Sequence, residues 1–442
     1  MLKIIISIKT IKIYFIAIIS IILFSVAFLY FRMPKESSAV TAVLPNPTQL
    51  ENLNIMIDSS DDIASLGFPP QRKMVMDNKG NIFVAYRKKF NGNFEIFVAK
   101  VSQQDGKLVV SGNEKPIVQI GGNAQRVPAI DIDSRDGLHV IWYGADNNTR
   151  EGNRQIKYIQ SQDGGQTWSE WLNISPVESY NNGDYWQEHP YISVGEEDEL
   201  YVVWEGEDSQ NNNQQIKFTK SQNRGKSWSH WQNISVTPGA TQSRPVILQD
   251  RAGTVHVLMY SSLGKNIQQI QHSFSFNDGQ NWSEWQNISN SFFDARHLSA
   301  IIDKNNLIHV VWRSTTPLGR TQIYYSFSNK GQWSEPKLIA ASSRNQFFPS
   351  ISIDESNNLY VTWMETDKNY DLPREKPEEG QIYTVKIQNG QIEKPKLQSQ
   401  GEKNLYPSLP AKIVEINNLF LIYGNIPDKN NEFIDIILKK IN

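Results

Sequence analysis

One stretch of fifteen residues recurs along the chain. It reads SQDGGQTWSEWLNIS from Ser161, SQNRGKSWSHWQNIS from Ser221 and SFNDGQNWSEWQNIS from Ser275, with a worn copy, SFSNKGQWSEPKLIA, from Ser326. The copies are spaced 60, 54 and 51 residues apart. Chemistry needs one good copy of an active element. Repetition at this period instead marks units that bury their faces only against one another.

The unit is longer than the stretch. Upstream of each copy runs an apolar segment ending in a large residue: LHVIW (138–142), LYVVW (200–204), VHVLM (255–259) and IHVVW (308–312). IFVAY (82–86), LYVTW (359–363) and LFLIY (419–423) repeat the pattern where no copy follows. A second segment comes next, usually opening Gln-Ile, as in QIKYI from Gln155, QIKFT from Gln215 and QIYYS from Gln322. A third precedes each pair, as in PAIDID (128–133) and PSISID (349–354). Short strands with turns between them, repeating at this period, predict an all-β chain: a β-propeller of four-stranded antiparallel blades. The unit is strand A, strand B, strand C, a turn, then strand D opening at the Trp.

Seven sets predict seven blades, or six if a terminal set is degenerate. The seventh ends too near Asn442 for a strand D. LNIMI (53–57) is expected to supply it and to remove the open sheet edge. The propeller is thus assigned to 51–442.

In this scheme the repeated stretch is the C–D turn. Asp163, Asn223 and Asn277 bond backbone donors in a tight turn, and Gly165, Gly225 and Gly279 supply positive φ. Trp168, Trp228, Trp282 and Trp333 fill the space between blades. SQDGGQTW (161–168) matches the Asp-box, or BNR repeat, S-x-D-x-G-x-T-W in full, and two further copies match it with substitutions. The chain therefore resembles the sialidase-like propellers over about residues 68–440. The box also occurs in propellers that cleave no sialic acid, so the resemblance speaks to fold more than to function.

Strand-A starts and B–C loops share the face opposite the boxes, and functional residues are expected there. Arg126, Arg244 and Arg296 sit at strand-A starts, taken here as one blade position. Converging at the axis they would grip a carboxylate, since guanidinium groups fork onto carboxylates. RVPAI (126–130) resembles the family's R-I-P motif, which implies that these three are its arginine triad. The resemblance also places Asp146 at the acid/base position and asks for a Tyr nucleophile with a Glu partner. Tyr406 is on the expected face. No acidic residue lies between Asp208 and Arg244, where the Glu is expected; Glu188, Glu205 and Glu207 are upstream. Tyr143, Tyr185, Trp186 and Tyr260 would suit sugar rings.

The 13–31 run is uncharged and, as a helix, spans about 28 Å, close to a bilayer's hydrocarbon core. Lys3, Lys9 and Lys12 before it favour a cytoplasmic N-terminus and an extracytoplasmic propeller. A cleaved signal peptide is the alternative. Residues 32–50, rich in Pro, Ser and Thr, read as a tether.

A net charge of −2 gives no reason to expect nucleic acid, and no cysteine is present for disulfides or thiolate metal sites. His139, His256 and His309 share the second position of strand B with Phe and Tyr elsewhere, so they read as packing elements; neither metal nor cofactor is expected. The charged loop 364–380 is a possible partner surface. The expectation is a membrane-held propeller recognising a glycan, with catalysis open. An exo-sialidase and a protein-assembly scaffold are the alternatives.

Overall fold

The chain runs from blade to blade without a helix among the described residues. The computed structural model describes residues 54–441 apart from 68–70, 121–124, 147–153, 176–184, 236–239, 263–266, 291–292, 330, 371–376, 411, 414–418 and 428–432. The 13–31 and 32–50 segments lie outside them. Among the described residues no helix is long and apolar enough to cross a membrane.

The described residues form seven sheets, each built on an antiparallel ladder in the order A–B–C–D, so seven blades are present and not six; the blade 6 sheet also takes up Lys412–Ile413 parallel to its strand A. In blade 7 the strands Asn404–Ser408, Phe420–Asn425 and Ile434–Lys440 are completed by Asn54–Ser60. A strand from the start of the propeller thereby covers the edge left by its end.

Strand B is buried along its length, as in Leu138–Gly144 of blade 2, because neighbouring blades cover both of its faces. That is why these strands read as apolar runs rather than as alternating patterns. The terminal indole also has a fixed partner. Trp142 Nε1 donates to Gln125 Oε1 at 2.8 Å and Trp204 Nε1 to Gln187 Oε1 at 2.7 Å, tying the end of B to the start of A.

The repeated stretch closes the C–D corner. Asp163 Oδ1 accepts the N–H groups of Gln166 (3.0 Å) and Thr167 (2.9 Å), and its Oδ2 accepts the Thr167 hydroxyl. The bonds from Thr167 outweigh the small burial penalty and hold its carboxyl down at about 2. The Asn223 and Asn277 side-chain oxygens take the same backbone donors, at Ser227 and Asn281. The box tryptophans staple neighbouring blades: Trp228 stands edge-on to Tyr158 at 4.9 Å, Trp282 to Phe218 at 5.3 Å and Trp333 to His272 at 5.3 Å. Blades 1 and 6 have no box and turn instead on Asp105–Gly106 and Asn389–Gly390, all at positive φ, the two-residue hairpin form.

One expectation is corrected. Strand D does not open at the Trp in blades 2 to 4; it is the pair Leu172–Asn173, Gln232–Asn233 or Gln286–Asn287. Between box and strand, Ser229 and Ser283 turn their hydroxyls onto strand C, each hydroxyl about 3.1–3.2 Å from Thr219 or Ser273, which interrupts the ladder.

The box glycines differ in what lies above them. A methyl at Gly225 would stand 1.8 Å from the Tyr158 hydroxyl, itself 2.8 Å from His139, whereas at Gly165 the nearest atom is 3.8 Å away. Both have φ near +82. Gly165→Ala therefore loses about 1 kcal/mol to backbone strain, and Gly225→Ala about 3 kcal/mol once overpacking is added. Urea unfolding of the two proteins measures the difference.

Blades 2, 4 and 5 each hold a buried polar triad beside the start of strand B, where blade 3 has Tyr201 and Phe218. His139 bridges Asp133 (3.0 Å) and Tyr158 (2.8 Å), and His309 bridges Asp303 (3.4 Å) and Tyr325 (2.8 Å). In blade 4 the tyrosine is replaced by His272, 3.1 Å from His256. Burial, and then His256, depress His272 to about 3. Unfolded, the ring takes a proton near 6.5, so between these values the unfolded chain binds more protons. Stability is full above pH 6.5 and is lost on acidification, by about 2 kcal/mol at pH 5. Denaturant midpoints at pH 7 and 5 read this slope, and His272→Tyr is expected to remove it.

Candidate functional site

In blades 2 to 7 strand A carries a bulge near its start. In six blades the register slips beside a non-glycine residue at positive φ: Val127, His189, Arg244, His297, Phe348 and Tyr406, with φ between 49 and 55. In blade 1 the same place, counted back from the turn-closing Asp77, is Gln71. A left-handed non-glycine residue costs roughly 1–3 kcal/mol. Because apolar blades bear the same strain as polar ones, it belongs to the turning of strand A and not to one catalytic residue. Its effect is to aim one side chain per blade at the axis. The rings of His297 and Phe348 lie 6.0 Å apart, and those of Phe348 and Tyr406 4.9 Å.

A second ring comes from the residue that follows the large residue of strand B: Arg87, Tyr143, Glu205, Tyr260, Arg313, Met364 and Gly424. Together the rings divide the axial face. Blades 6 and 7 supply Phe347, Phe348, Met364, Leu405 and Tyr406, and Leu66 of the crossing segment 61–67 packs with them. Arg87 turns away from the axis to hold that segment through Asp62 and through its own carbonyl, which accepts the hydroxyls of Ser60 and Ser65. Blades 2 to 5 are polar.

On the polar side, His189 Nδ1 lies 2.6 Å from Glu205 Oε1, and Glu205 Oε2 accepts the backbone N–H of Arg244 at 2.6 Å. Burial opposes charge on Glu205, but His189 and Arg244 prevail and hold its carboxyl low. The Tyr143 ring lies 5.3 Å from His189. Burial and then Glu188 push its phenol up to about 12, against Arg126, Arg244 and Arg154. Arg154 pairs with Glu188 and lies over both Tyr143 and Trp186. Around Tyr260 and His297 the cations are Arg244, Arg296 and Arg313. Burial, then these arginines, keep His297 neutral, and its Nδ1 accepts from Arg313 Nε at 3.0 Å.

A model of the BNR repeat-containing family matches residues 26–175, a third of the chain. No curated protein matches by sequence. Solved structures match most of its length at low identity. A protein of unknown function from Dyadobacter fermentans is 13% identical with a TM-score of 0.52, covering 88% of this chain and 99% of its own. An ulvan lyase of polysaccharide lyase family PL25, bound to -[GlcA(1-4)Rha3S]-, is 11% identical with a TM-score of 0.58, covering 87% and 95%. The NanB sialidase of Streptococcus pneumoniae is 11% identical with a TM-score of 0.50, covering 88% and 94%. The chain shares the β-propeller fold of these proteins, and its match to the BNR family spans residues 26–175.

Within this propeller the three arginines of the sequence reading share one cluster but not one position. Arg244 is an axial bulge residue, whereas Arg126 and Arg296 stand one residue earlier. The bulge, invisible in sequence, makes the difference. Arg296 pairs with Asp294 at 2.6 Å, and Arg126 has no hydrogen bond or ion pair among the described residues.

Asp146 and Tyr406 are placed elsewhere. Asp146 is buried against Lys157 Nζ at 2.5 Å, and the same amine donates to Asn173 Oδ1 at 2.8 Å and lies over Trp171. Blade 3 repeats the bracket with Asp208, Lys217, Asn233 and Trp231. A carboxylate held in the same way in two blades supports the scaffold. Both brackets also hold the amides of Asn173 and Asn233 on carboxylates. Tyr406 is 4% exposed, packed on Phe348 in the apolar half, and burial followed by Asp62 raises its phenol.

Glu188, His189 and Glu205 offer ligand atoms within 4.8 Å of one another. Arg154 already holds Glu188, an N–H holds Glu205, Arg244 also acts on Glu205, and Arg126, Arg154 and Arg244 all act on the neighbouring Tyr143. That field favours an anion over a cation. Sequence reasoning misses His189 in this role, Arg154 and Arg313, and passes over Glu205 as lying upstream of the expected place. Two of them occupy the place next to the large residue of strand B, one step beyond the recognised pattern.

Proposed function

We propose that this propeller binds a carboxylate-bearing glycan at the polar half of its axis and cleaves it by proton transfer through His189. The observation that carries this reading is the His189–Glu205 pair, 2.6 Å apart, among Arg126, Arg154 and Arg244. Fork-shaped cations suit a sugar carboxylate, and a carboxylate that holds one ring nitrogen orients a histidine to exchange protons through the other. With the sugar carboxylate held, His189 takes the proton from the carbon bearing it. The arginines stabilise the charge that spreads onto the carboxylate. The carbon–oxygen bond to the next sugar then breaks as the ring double bond forms, and the departing oxygen takes a proton from Tyr143. The fold is shared with proteins named as a sialidase and as a lyase bound to a glucuronate-containing chain, both acidic sugars. The 13–31 run and the 364–380 loop support, from sequence, a membrane-held protein with a possible protein partner.

The test offers the full-length protein a glucuronate–rhamnose 3-sulfate polysaccharide and, separately, a fluorogenic sialoside. Ultraviolet absorbance from an unsaturated uronate is the expected result. Release of the sialoside's fluorophore would replace elimination with hydrolysis. Binding of the polysaccharide without product would leave recognition and refute the proton-transfer step.

A further inference from the structure

Beside the axial cluster, on the rim between blades 2 and 3, Trp186 leaves 42% of its surface in solvent. Most large side chains of this chain are buried, and an exposed indole at a polar rim is a sugar-stacking surface in form. Its backbone is held firmly. Trp186 O accepts the N–H of Glu207 at 3.2 Å, the next N–H, of Gln187, donates to Arg154 O at 3.0 Å, and Gln187 Nε2 donates to Glu207 O at 2.8 Å. The guanidinium of Arg154 lies 4.7 Å from the Trp186 ring centre and 5.9 Å from that of Tyr143. One arginine therefore touches both the axial cluster and the exposed indole. Tyr185 and Gln187, on either side of Trp186, line a small cleft together with Gln155, Glu207, Asp208 and Trp231.

We infer that Trp186 and Arg154 form a second sugar subsite, which takes the neighbouring residue of a chain whose acidic residue sits at the axis. The inference rests on the proposed axial site and adds the substrate class: an acidic oligo- or polysaccharide gripped along its length, not a single terminal sugar. The geometry supports this because, among the described residues, the polar side is the open one beside Trp186. On the opposite side segment 61–67 and the blade 6 and 7 aromatics close the way. The indole offers a face to one ring while Arg154 bonds its hydroxyl, carboxylate or sulfate oxygens.

Calorimetric titration of the full-length protein with glucuronate–rhamnose 3-sulfate oligosaccharides of two, four and six sugars tests it. The wild type is expected to gain about tenfold in affinity between the shortest and the longer chains. Trp186→Ala is expected to lose that gain, and Trp186→Tyr, which keeps a ring, to retain most of it. Arg244→Ala is expected to weaken every length alike. A wild type whose affinity does not grow with length, or a Trp186→Ala protein that gains as the wild type does, overturns the subsite while the axial site stands. No binding at any length overturns both, and Arg244→Ala binding as the wild type does refutes the axial reading.

Discussion

Asp146→Ala and Asp208→Ala proteins each lose about 3–5 kcal/mol of stability in urea unfolding, and by similar amounts. Each substitution leaves a buried ammonium, Lys157 or Lys217, without the carboxylate that lies 2.5 or 2.6 Å from it. Burial already draws Lys157 below its ordinary value, with Asp146 opposing, so removing Asp146 forces the amine either to stay charged in a dry site or to give up its proton. Both outcomes destabilise the fold. The comparison matters because Asp146 alone occupies the place that the family resemblance assigns to an acid/base carboxylate. A scaffold role predicts twin behaviour and unchanged turnover per folded Asp146→Asn molecule. Loss of turnover from folded Asp146→Asn, with Asp208→Asn unaffected, would return Asp146 to the catalytic machinery.

The fold was legible because its determinants are local and repeated. A strand buried on both faces must be apolar throughout, so LHVIW, LYVVW and IHVVW announce themselves. A corner that needs a carboxylate or amide, a positive-φ glycine and a Trp leaves the same letters at Ser161, Ser221 and Ser275. The site was less legible because it depends on where the chain is irregular. The strand-A bulge moves Arg244 onto the axis and leaves Arg126 and Arg296 beside it, yet all three look alike as arginines before an apolar run. Asp146 looked available because its partner Lys157 lies 11 residues on, across a loop and on another strand. The second copy of that bracket, Asp208 with Lys217, was the signal that could have decided it. Glu205 stands immediately after Trp204, where a charge reads as the polar end of a strand. Only the strand-A bulge of the same blade turns it into the partner of His189.

The largest functional effect is expected at that pair. Glu205→Gln keeps the side-chain shape and one oxygen, which can still accept the Arg244 N–H; its amide NH2 then faces His189 Nδ1, so the charge is lost and the ring is held in the other tautomer. Turnover of the uronate polysaccharide is expected to fall by about 10²–10⁴-fold, the usual worth of a positioned acid/base. Oligosaccharide affinity should stay within about threefold of the wild type, because the arginines remain. His189→Gln removes the proton carrier itself and is expected to lose as much. The double variant then loses little more, since two residues acting as one unit are strongly non-additive. A purely structural role for the pair predicts instead a loss of stability and of binding that tracks the loss of turnover. Titration calorimetry, urea unfolding and initial rates on the same four proteins separate the two accounts. Folded, binding-competent Glu205→Gln with wild-type turnover would remove His189 and Glu205 from the chemistry and leave the arginines as a recognition site.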